Sequence, residues 1–295
     1  MSKYIVKQIE EMHLECTEPL SGMYKLSPFV WKEKNIYKML IRAVNPSPDV
    51  LQQAARAYYG TSKDGIHFKM SDGPALAPST NSYDKDGCED PTVIQLKDKY
   101  LVYYTGWNVT KREGQLMLAS GKDAEKLEVQ KIALKSREPY LNPKEATVKQ
   151  LMNGKWTLFF EYAHENRSKL GRAFSKKPEG PWRIEGEFLK AREDSWDSYH
   201  LSAGPAIENQ HHKTVMFYNG ANAQAHWRIG WVEMDEHGTI TGRSEEPIIT
   251  PPASKPGEVD IAFAASTILA GDEIWLYYST EDDKPFRAIL TIQED

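Results

Sequence analysis

Five short runs of apolar and aromatic residues recur along the chain between polar turns: YKMLIRA from Tyr37, YLVYYTG from Tyr100, WTLFFEY from Trp156, TVMFYNG from Thr214 and IWLYYST from Ile274. Their starts are spaced by roughly 60 residues, the signature of an internal repeat. A polar turn precedes each run: KEKN, KDK, MNGK, NQHHK and AGDE. One strand earlier stand PFVW, PTVIQL, ATVKQL, PAIEN and STILA, each short and β-prone. A third strand closing on a polar turn follows, as in AYYGTSKDGIHF, QLMLASGKD, LGRAFSKKPEGPW and RIGWVEMDEHG. Alternating polarity with turn signals at short intervals argues strand rather than helix. Each unit therefore reads as strand–turn–strand–loop–strand, with room for a fourth, outer strand. Such a unit cannot bury both faces of its sheet alone, so units stack around an axis. The expectation is an all-β, five-bladed β-propeller forming one domain over residues 1–295, with residues 1–25 available to close the last blade. A two-sheet sandwich would not produce five copies.

Composition narrows the possibilities. The 295 residues carry 37 Lys and Arg against 42 Asp and Glu, a net charge of −5, so there is no basic footprint and no nucleic-acid partner is expected. No apolar run approaches the roughly 20 residues needed to span a bilayer. The opening MSKYIVKQIEEMHLEC lacks the apolar centre of a signal peptide. A cytoplasmic protein with no membrane partner is expected. Cys16 and Cys88 alone cannot form a disulfide scaffold or a cysteine metal site. No His-x-His, Cys-x-x-Cys or acid-rich loop has metal spacing, so neither a metal nor an organic cofactor is expected. A Gly-rich phosphate loop and a nucleophile-elbow serine are also absent. The aromatic share is 11%, and many Tyr and Trp stand beside Gly, Asn or acidic residues. That mixture suits strands packed face to face, and it also suits sugar binding.

In a propeller the first strand of each blade runs beside the central channel, so residues far apart in sequence meet at its mouth. Aligned first strands put Asp90 of CEDPTV opposite Glu145 of KEATV, Gly204 of AGPAI and Ala265 of AASTI, while LSPFV offers no acid. Aligned exits of the second strands put Arg42, Thr105, Glu161, Asn219 and Ser279 in one ring. Paired carboxylates facing a sugar are the minimum for glycoside cleavage: one protonates the leaving oxygen and another delivers or activates the nucleophile. Asp90, Glu145 and Glu161 are the candidates. Beside Glu89, and partly buried, Asp90 is expected to have a raised pKa and to hold a proton near neutral pH. Trp196 and Asp197 of SWDSYHLSAGP are candidate sugar contacts, as are Asp282 and Asp283 past the last aromatic run. His164 follows the Glu161 strand exit, whereas His211 and His212 read as a solvated turn.

The ordered set RA, SKDGIHF, GCEDP, WDSYHLSAGP, FYNG and LYYSTEDD resembles glycoside hydrolase family 130, the β-mannoside phosphorylases and mannosidases. The likeness runs from about Tyr37 to Ile292. It implies a five-bladed propeller and an inverting mechanism. It also implies that Asp90 is the general acid, which in the phosphorylases works through a substrate hydroxyl, that Arg42 lies near the bound mannose and that Asp283 contacts the sugar. Glu89 and Asn219 complete the expected binding set. The chain departs from the phosphorylase pattern in three places. Thr92 stands where that pattern has Arg after E-D-P, Glu161, Tyr162 and Ala163 where it has H-R-P, and Tyr218, Asn219 and Gly220 where it has Y-H-G. A phosphate dianion needs guanidinium or imidazolium partners to replace its hydration. The resemblance with these departures implies a hydrolase of β-mannosides in short oligosaccharides, with Asp90 as acid and Glu161 or Glu145 as base. The alternatives are a phosphorylase whose phosphate cradle uses Lys144, Arg167 or His164, and a non-catalytic carbohydrate-binding propeller. Clustered carboxylates that must be desolvated argue against the last. An arabinanase- or invertase-like propeller ranks lower, because Leu26, Ser27 and Pro28 stand where its acid would be.

Overall fold

The computed structural model describes residues 2–49, 53–80, 83–252 and 260–294. Among them the regular elements are strands, apart from one 3-10 turn at Leu20–Gly22. Strands β1 (Ser2–Glu11) and β2 (His13–Glu15) come first. A meander of β3 (Tyr24–Glu33), β4 (Ile36–Val44), β5 (Arg56–Ser62) and β6 (His67–Leu76) makes the first sheet, with β2 added in parallel to its outer edge. The second sheet is the meander β7 (Gly87–Gln95), β8 (Tyr100–Asn108), β9 (Glu113–Asp123) and β10 (Lys126–Leu134). The third is β11 (Leu141–Gln150), β12 (Trp156–His164), β13 (Arg167–Ser175) and β14 (Arg183–Leu189).

Residues 200–243 follow the same path, but their strands break midway. The pieces are β15 (His200–Ser202), β16 (Ala206–Glu208), β17 (Thr214–Met216), β18 (Asn219–Ala221), β19 (Trp227–Ile229), β20 (Val232–Met234) and β21 (Ile240–Arg243). They form two short sheets, β15-β18-β19 and β16-β17-β20-β21. The first break falls at Ala203–Gly204–Pro205, where Pro205 has no N–H to give a ladder. The last sheet comprises β22 (Ala262–Ala270), β23 (Glu273–Thr280) and β24 (Lys284–Glu294), and β1 pairs antiparallel with β24 as its fourth strand.

The aromatic runs all fall on second strands, and burial explains their composition. In β8 (YLVYYTGWN) only Trp107 is more than marginally exposed, whereas the outer strand β10 (KLEVQKIAL) alternates between exposed and half-buried positions. A second strand is covered on both faces because neighbouring sheets stack against it. Its side chains point alternately to the two sides. From β4, Leu40 enters the core shared with the second sheet, whereas Met39 and Ile41 join Ile268 and Tyr277 of the last sheet. From β8, Val102 and Tyr104 face the first sheet, while Leu101 and Tyr103 meet Leu158 and Phe160 of β12. Phe159 meets Met216 and Tyr218, and Val215 and Phe217 meet Ile274 and Leu276. The cores thus run from sheet to sheet and return to the first. Each such fully buried side chain contributes about 1.5–3 kcal/mol of transfer free energy.

The leading strands close the same circle: β3 touches β7, β7 touches β11, β11 touches β16, β16 touches β22 and β22 touches β3. Polar side chains fasten every junction. Ser27 Oγ donates to Asp90 Oδ1, Thr92 Oγ1 to the Ala146 carbonyl and Thr147 Oγ1 to the Gly204 carbonyl. Asn219 Oδ1 accepts the Ala264 N–H, and Ser266 Oγ donates to the Pro28 carbonyl while accepting the Val30 N–H. At the centre, side chains from sheets far apart in sequence face each other.

Candidate active site

A bulge at matching places re-aims the leading strands. Pairing slips between Leu26 and Phe29 in β3, Glu89 and Thr92 in β7, Lys144 and Thr147 in β11, and Ala264 and Ser266 in β22. Within the first three slips, Ser27, Asp90 and Glu145 adopt left-handed backbone, with φ of 52°, 50° and 49°. That conformation costs a non-glycine residue about 1–2 kcal/mol. A bulge lets one side chain leave the sheet's own face, and here it turns all three toward the axis. The corresponding residue between β15 and β16 is Gly204, where a Cβ would lie 1.8 Å from the Phe217 carbonyl oxygen. Only glycine fits there.

Asp90, 6% exposed, is held from three sides. Ser27 Oγ donates to its Oδ1 at 2.6 Å, and Arg42 Nη1 lies 3.2 and 3.3 Å from its two oxygens. The Glu145 carboxyl hydrogen-bonds to it directly. Arg42 Nη2 also pairs with Glu89 Oε1 at 3.1 Å. Lys144 Nζ pairs with the buried Glu161 Oε1 at 3.3 Å, and both line the same pocket as Asp90.

This arrangement decides where the proton sits. Burial raises the Glu145 pKa well above the usual carboxylate range, and the neighbouring Asp90 charge and hydrogen bond push it further. Burial opposes ionisation of Asp90 too, but Arg42 and the hydrogen bonds from Glu145 and Ser27 outweigh it and hold its pKa low. Of the two acids Glu145 therefore holds a proton more readily, and its hydrogen bond is directed at Asp90. This corrects the expectation of a raised pKa on Asp90: the raised member of the pair is its partner. Glu89 is also shifted upward, chiefly by burial. Lys144 is held protonated, first of all by Glu161.

Two adjoining hollows give access. A pocket of about 160 Å³ is lined by Ser27, Arg42, Asp90, Glu145, Trp227 and Phe263, with Lys144, Glu161 and Asp282 also on its wall. A second, of about 290 Å³, shares Lys144 and Glu161 and continues over Glu89, Thr105, Trp107 and Ser168. Together they expose five carboxylates and two cations, and both cations are already paired with carboxylates. Trp227 packs edge-on to Phe263 and stacks on His200, with ring centroids 5.2 and 5.7 Å apart. His200 Nδ1 accepts the Ser168 N–H at 3.0 Å, and burial lowers the pKa of the ring. That places a neutral imidazole behind the aromatic wall. A larger hollow, about 540 Å³ beside His13 and His67, lies on the outer edge of the first sheet and shares no residue with this cluster.

The structure thus brings Arg42, Glu89, Asp90, Glu145 and Glu161 together. It gives four expected sugar contacts other partners. Asp197 is fully buried, with Arg192 at 3.0 Å on each oxygen, the Tyr218 hydroxyl at 2.6 Å and Arg243 beside it. Trp196 stacks on Tyr218 and fills the space above Gly220 and Gly230. Asn219, also fully buried, bonds Ala203 and Ala264. These residues brace the interrupted strands, whose short ladders leave polar groups to satisfy. Asp283 accepts the Lys25 backbone N–H at 3.0 Å, and it is Asp282 that lines the pocket. Sequence reasoning missed Ser27, Trp227, Phe263 and His200. Ser27 was legible in principle, since LSPFV aligns it with Asp90. The aromatic wall comes from β15, β19 and β22 and has no shared motif.

A family of carbohydrate-active enzymes accounts for the fold. The profile of glycoside hydrolase family 130, described as beta-1,4-mannooligosaccharide phosphorylase, matches residues 36–291. The chain belongs to that family. A curated relative, the β-1,2-mannobiose phosphorylase of Thermoanaerobacter sp. (strain X514), is 25% identical over 231 residues, covering 76% of this chain and 73% of the relative. The fold is shared with the β-1,2-mannobiose phosphorylase of Listeria innocua in complex with β-1,2-mannobiose, at a TM-score of 0.77 and 19% identity over 97% of this chain and 91% of that one. It is shared equally with a structure reported for family members that are glycoside hydrolases targeting β-1,2 mannosidic linkages in Candida mannan. There the TM-score is 0.76 and the identity 22%, over 90% and 84% of the two chains.

Proposed function

We propose that the chain is a five-bladed propeller, residues 200–243 forming one blade with interrupted strands, and that it hydrolyses β-mannosides by an inverting single displacement. The circular order of leading strands and cores supports the blade count. The observation that carries the hydrolytic reading is the charge of the cleft: five carboxylates line it, and its only cations among the described residues, Arg42 and Lys144, are already paired. Phosphate would have to break those pairs and sit among like charges. Thr92, at the place of an expected phosphate-binding arginine, spends its hydroxyl on the Ala146 carbonyl at 2.6 Å.

Roles follow from the contacts. Asp90 and Glu145 are in direct contact, too close for a sugar and a water to fit between them, so they act as one proton-holding unit. An inverting enzyme separates its acid and base by about 6.5–9.5 Å, which leaves the base to Glu161, the other buried acid of the pocket. The dyad delivers its proton toward the leaving oxygen through Asp90. Glu161, oriented by Lys144, takes a proton from the attacking water. Mannose stacks on the Trp227 and Phe263 wall, and the leaving sugar extends over Trp107 and Thr105.

Incubation of a β-linked mannobiose panel with and without inorganic phosphate tests the reading. Free mannose, initially the α-anomer, is expected at the same rate in both arms, and Glu161→Gln should lose activity by about 10²–10⁴-fold. Phosphate-dependent release of mannose 1-phosphate would overturn hydrolysis. It would favour the second reading, phosphorolysis, which is the printed activity of the curated relative.

The shared proton has its own signature. Glu145→Gln keeps a hydrogen-bond donor toward Asp90 but no transferable proton, so the proton must then be held by Asp90 alone, whose pKa Arg42 and Ser27 keep low. The alkaline limb of kcat/KM on mannobiose is expected to move to lower pH. An unmoved limb would remove Glu145 from the proton inventory.

A further inference from the structure

The hairpin end that carries Ser168 opens onto a third hollow of about 160 Å³, and Ser168 lines both this hollow and the leaving-sugar pocket. The ionisable groups around it are Arg167, Lys169, Lys190 and Glu187. The charge balance is the reverse of that in the catalytic cleft: three cations face one carboxylate. Lys169 lies 4.0 Å from Glu187, which accounts for one positive charge. Arg167 and Lys190 have no acidic partner within ion-pair distance among the described residues. The Arg167 guanidinium is laid against the Tyr199 ring, 4.4 Å from its centroid, which fixes its plane while leaving its N–H groups free to bind. Tyr199 also lines the hollow.

Two uncompensated positive charges around a small cavity match a dianion. A guanidinium offers paired N–H donors to phosphate oxygens, and an ammonium adds a point charge. A neutral hydroxyl would gain little from either group. We propose that this hollow is an anion site for a phosphomonoester carried by a sugar, placed so that a phosphorylated leaving sugar reaches it from the neighbouring pocket. The siting relative to substrate rests on the proposed mannosidase reading; the anion site itself rests on the hollow's own residues.

Binding of mannose 6-phosphate and glucose 6-phosphate to the full chain, read by calorimetry beside mannose, glucose and glucuronate, tests this without any turnover. Both hexose phosphates are expected to bind at least tenfold tighter than the neutral sugars and the uronate. The paired change Arg167→Gln and Lys190→Gln should abolish the difference, with an unchanged near-ultraviolet circular dichroism spectrum. If that pair does not fold, Lys190→Gln alone is expected to weaken phosphate binding several-fold. Equal affinity for glucose and glucose 6-phosphate, equal affinity for glucuronate, or a preference that survives in the variants would each overturn the site. Because no catalysis is read, a protein inactive on every mannoside would overturn the proposed reaction and leave this measurement decisive.

Discussion

Replacing Asp90 by Asn is expected to lower kcat on β-linked mannobiose by about 10²–10⁴-fold, the usual worth of a positioned general acid. The amide has nearly the same shape, and its oxygen still accepts from Ser27 and Arg42, so the fold should persist. What it lacks is a carboxylate able to take the proton from Glu145 and pass it on. An aryl mannoside, whose leaving group needs no proton, should lose far less. Parallel initial rates on the two substrates make the comparison, and near wild-type turnover of mannobiose would end the assignment.

Arg42→Leu has the largest expected effect on stability. Arg42 is the guanidinium between Asp90 and Glu89, and removing one partner of a buried ionic cluster costs about 3–5 kcal/mol because the other charges stay behind uncompensated. The pH dependence has a definite sign. The pKa of Asp90 is lowered in the folded protein, so its contribution is present above the ordinary carboxylate pKa and is lost as pH falls through the lower folded value. The gap between wild type and variant should be widest near neutral pH and close as the carboxylates become protonated. Urea unfolding at pH 7 and at a pH well below the ordinary Asp value of about 3.9 reads it. A loss that grows on acidification would contradict the ion-pair account.

Much of the architecture could be read from spacing alone. The aromatic runs at Tyr37, Tyr100, Trp156, Thr214 and Ile274 are all second strands, because being covered on both faces leaves a plain compositional mark. The bulges left none. Ser27, Asp90 and Glu145 take a backbone conformation that their residue types do not announce, and the surrounding sheet imposes it. Alignment still put Asp90 opposite Glu145, since each stands just before a short β-prone stretch, PTVIQL or ATVKQL. It could not tell a carboxylate in the pocket from one in a brace. Asp197 stands beside Trp196 in a motif typical of sugar sites, yet Arg192, Arg243 and Tyr218 consume both of its oxygens. The proton's location was likewise beyond alignment, because it depends on Arg42 approaching Asp90 more closely than it approaches Glu145.

At one seam of the circle, construction and the proposed chemistry use the same atoms. The junctions through Thr92, Thr147, Asn219 and Ser266 are fastened by groups that take no part in proton transfer, whereas the first wall is clasped to the second by Ser27 on Asp90 itself. A descendant that abandoned catalysis could not simply discard this carboxylate. The seam would then keep the Arg42–Glu89 pair but lose the Ser27 clasp, so drift toward a purely sugar-holding protein would carry a mechanical cost as well as a functional one.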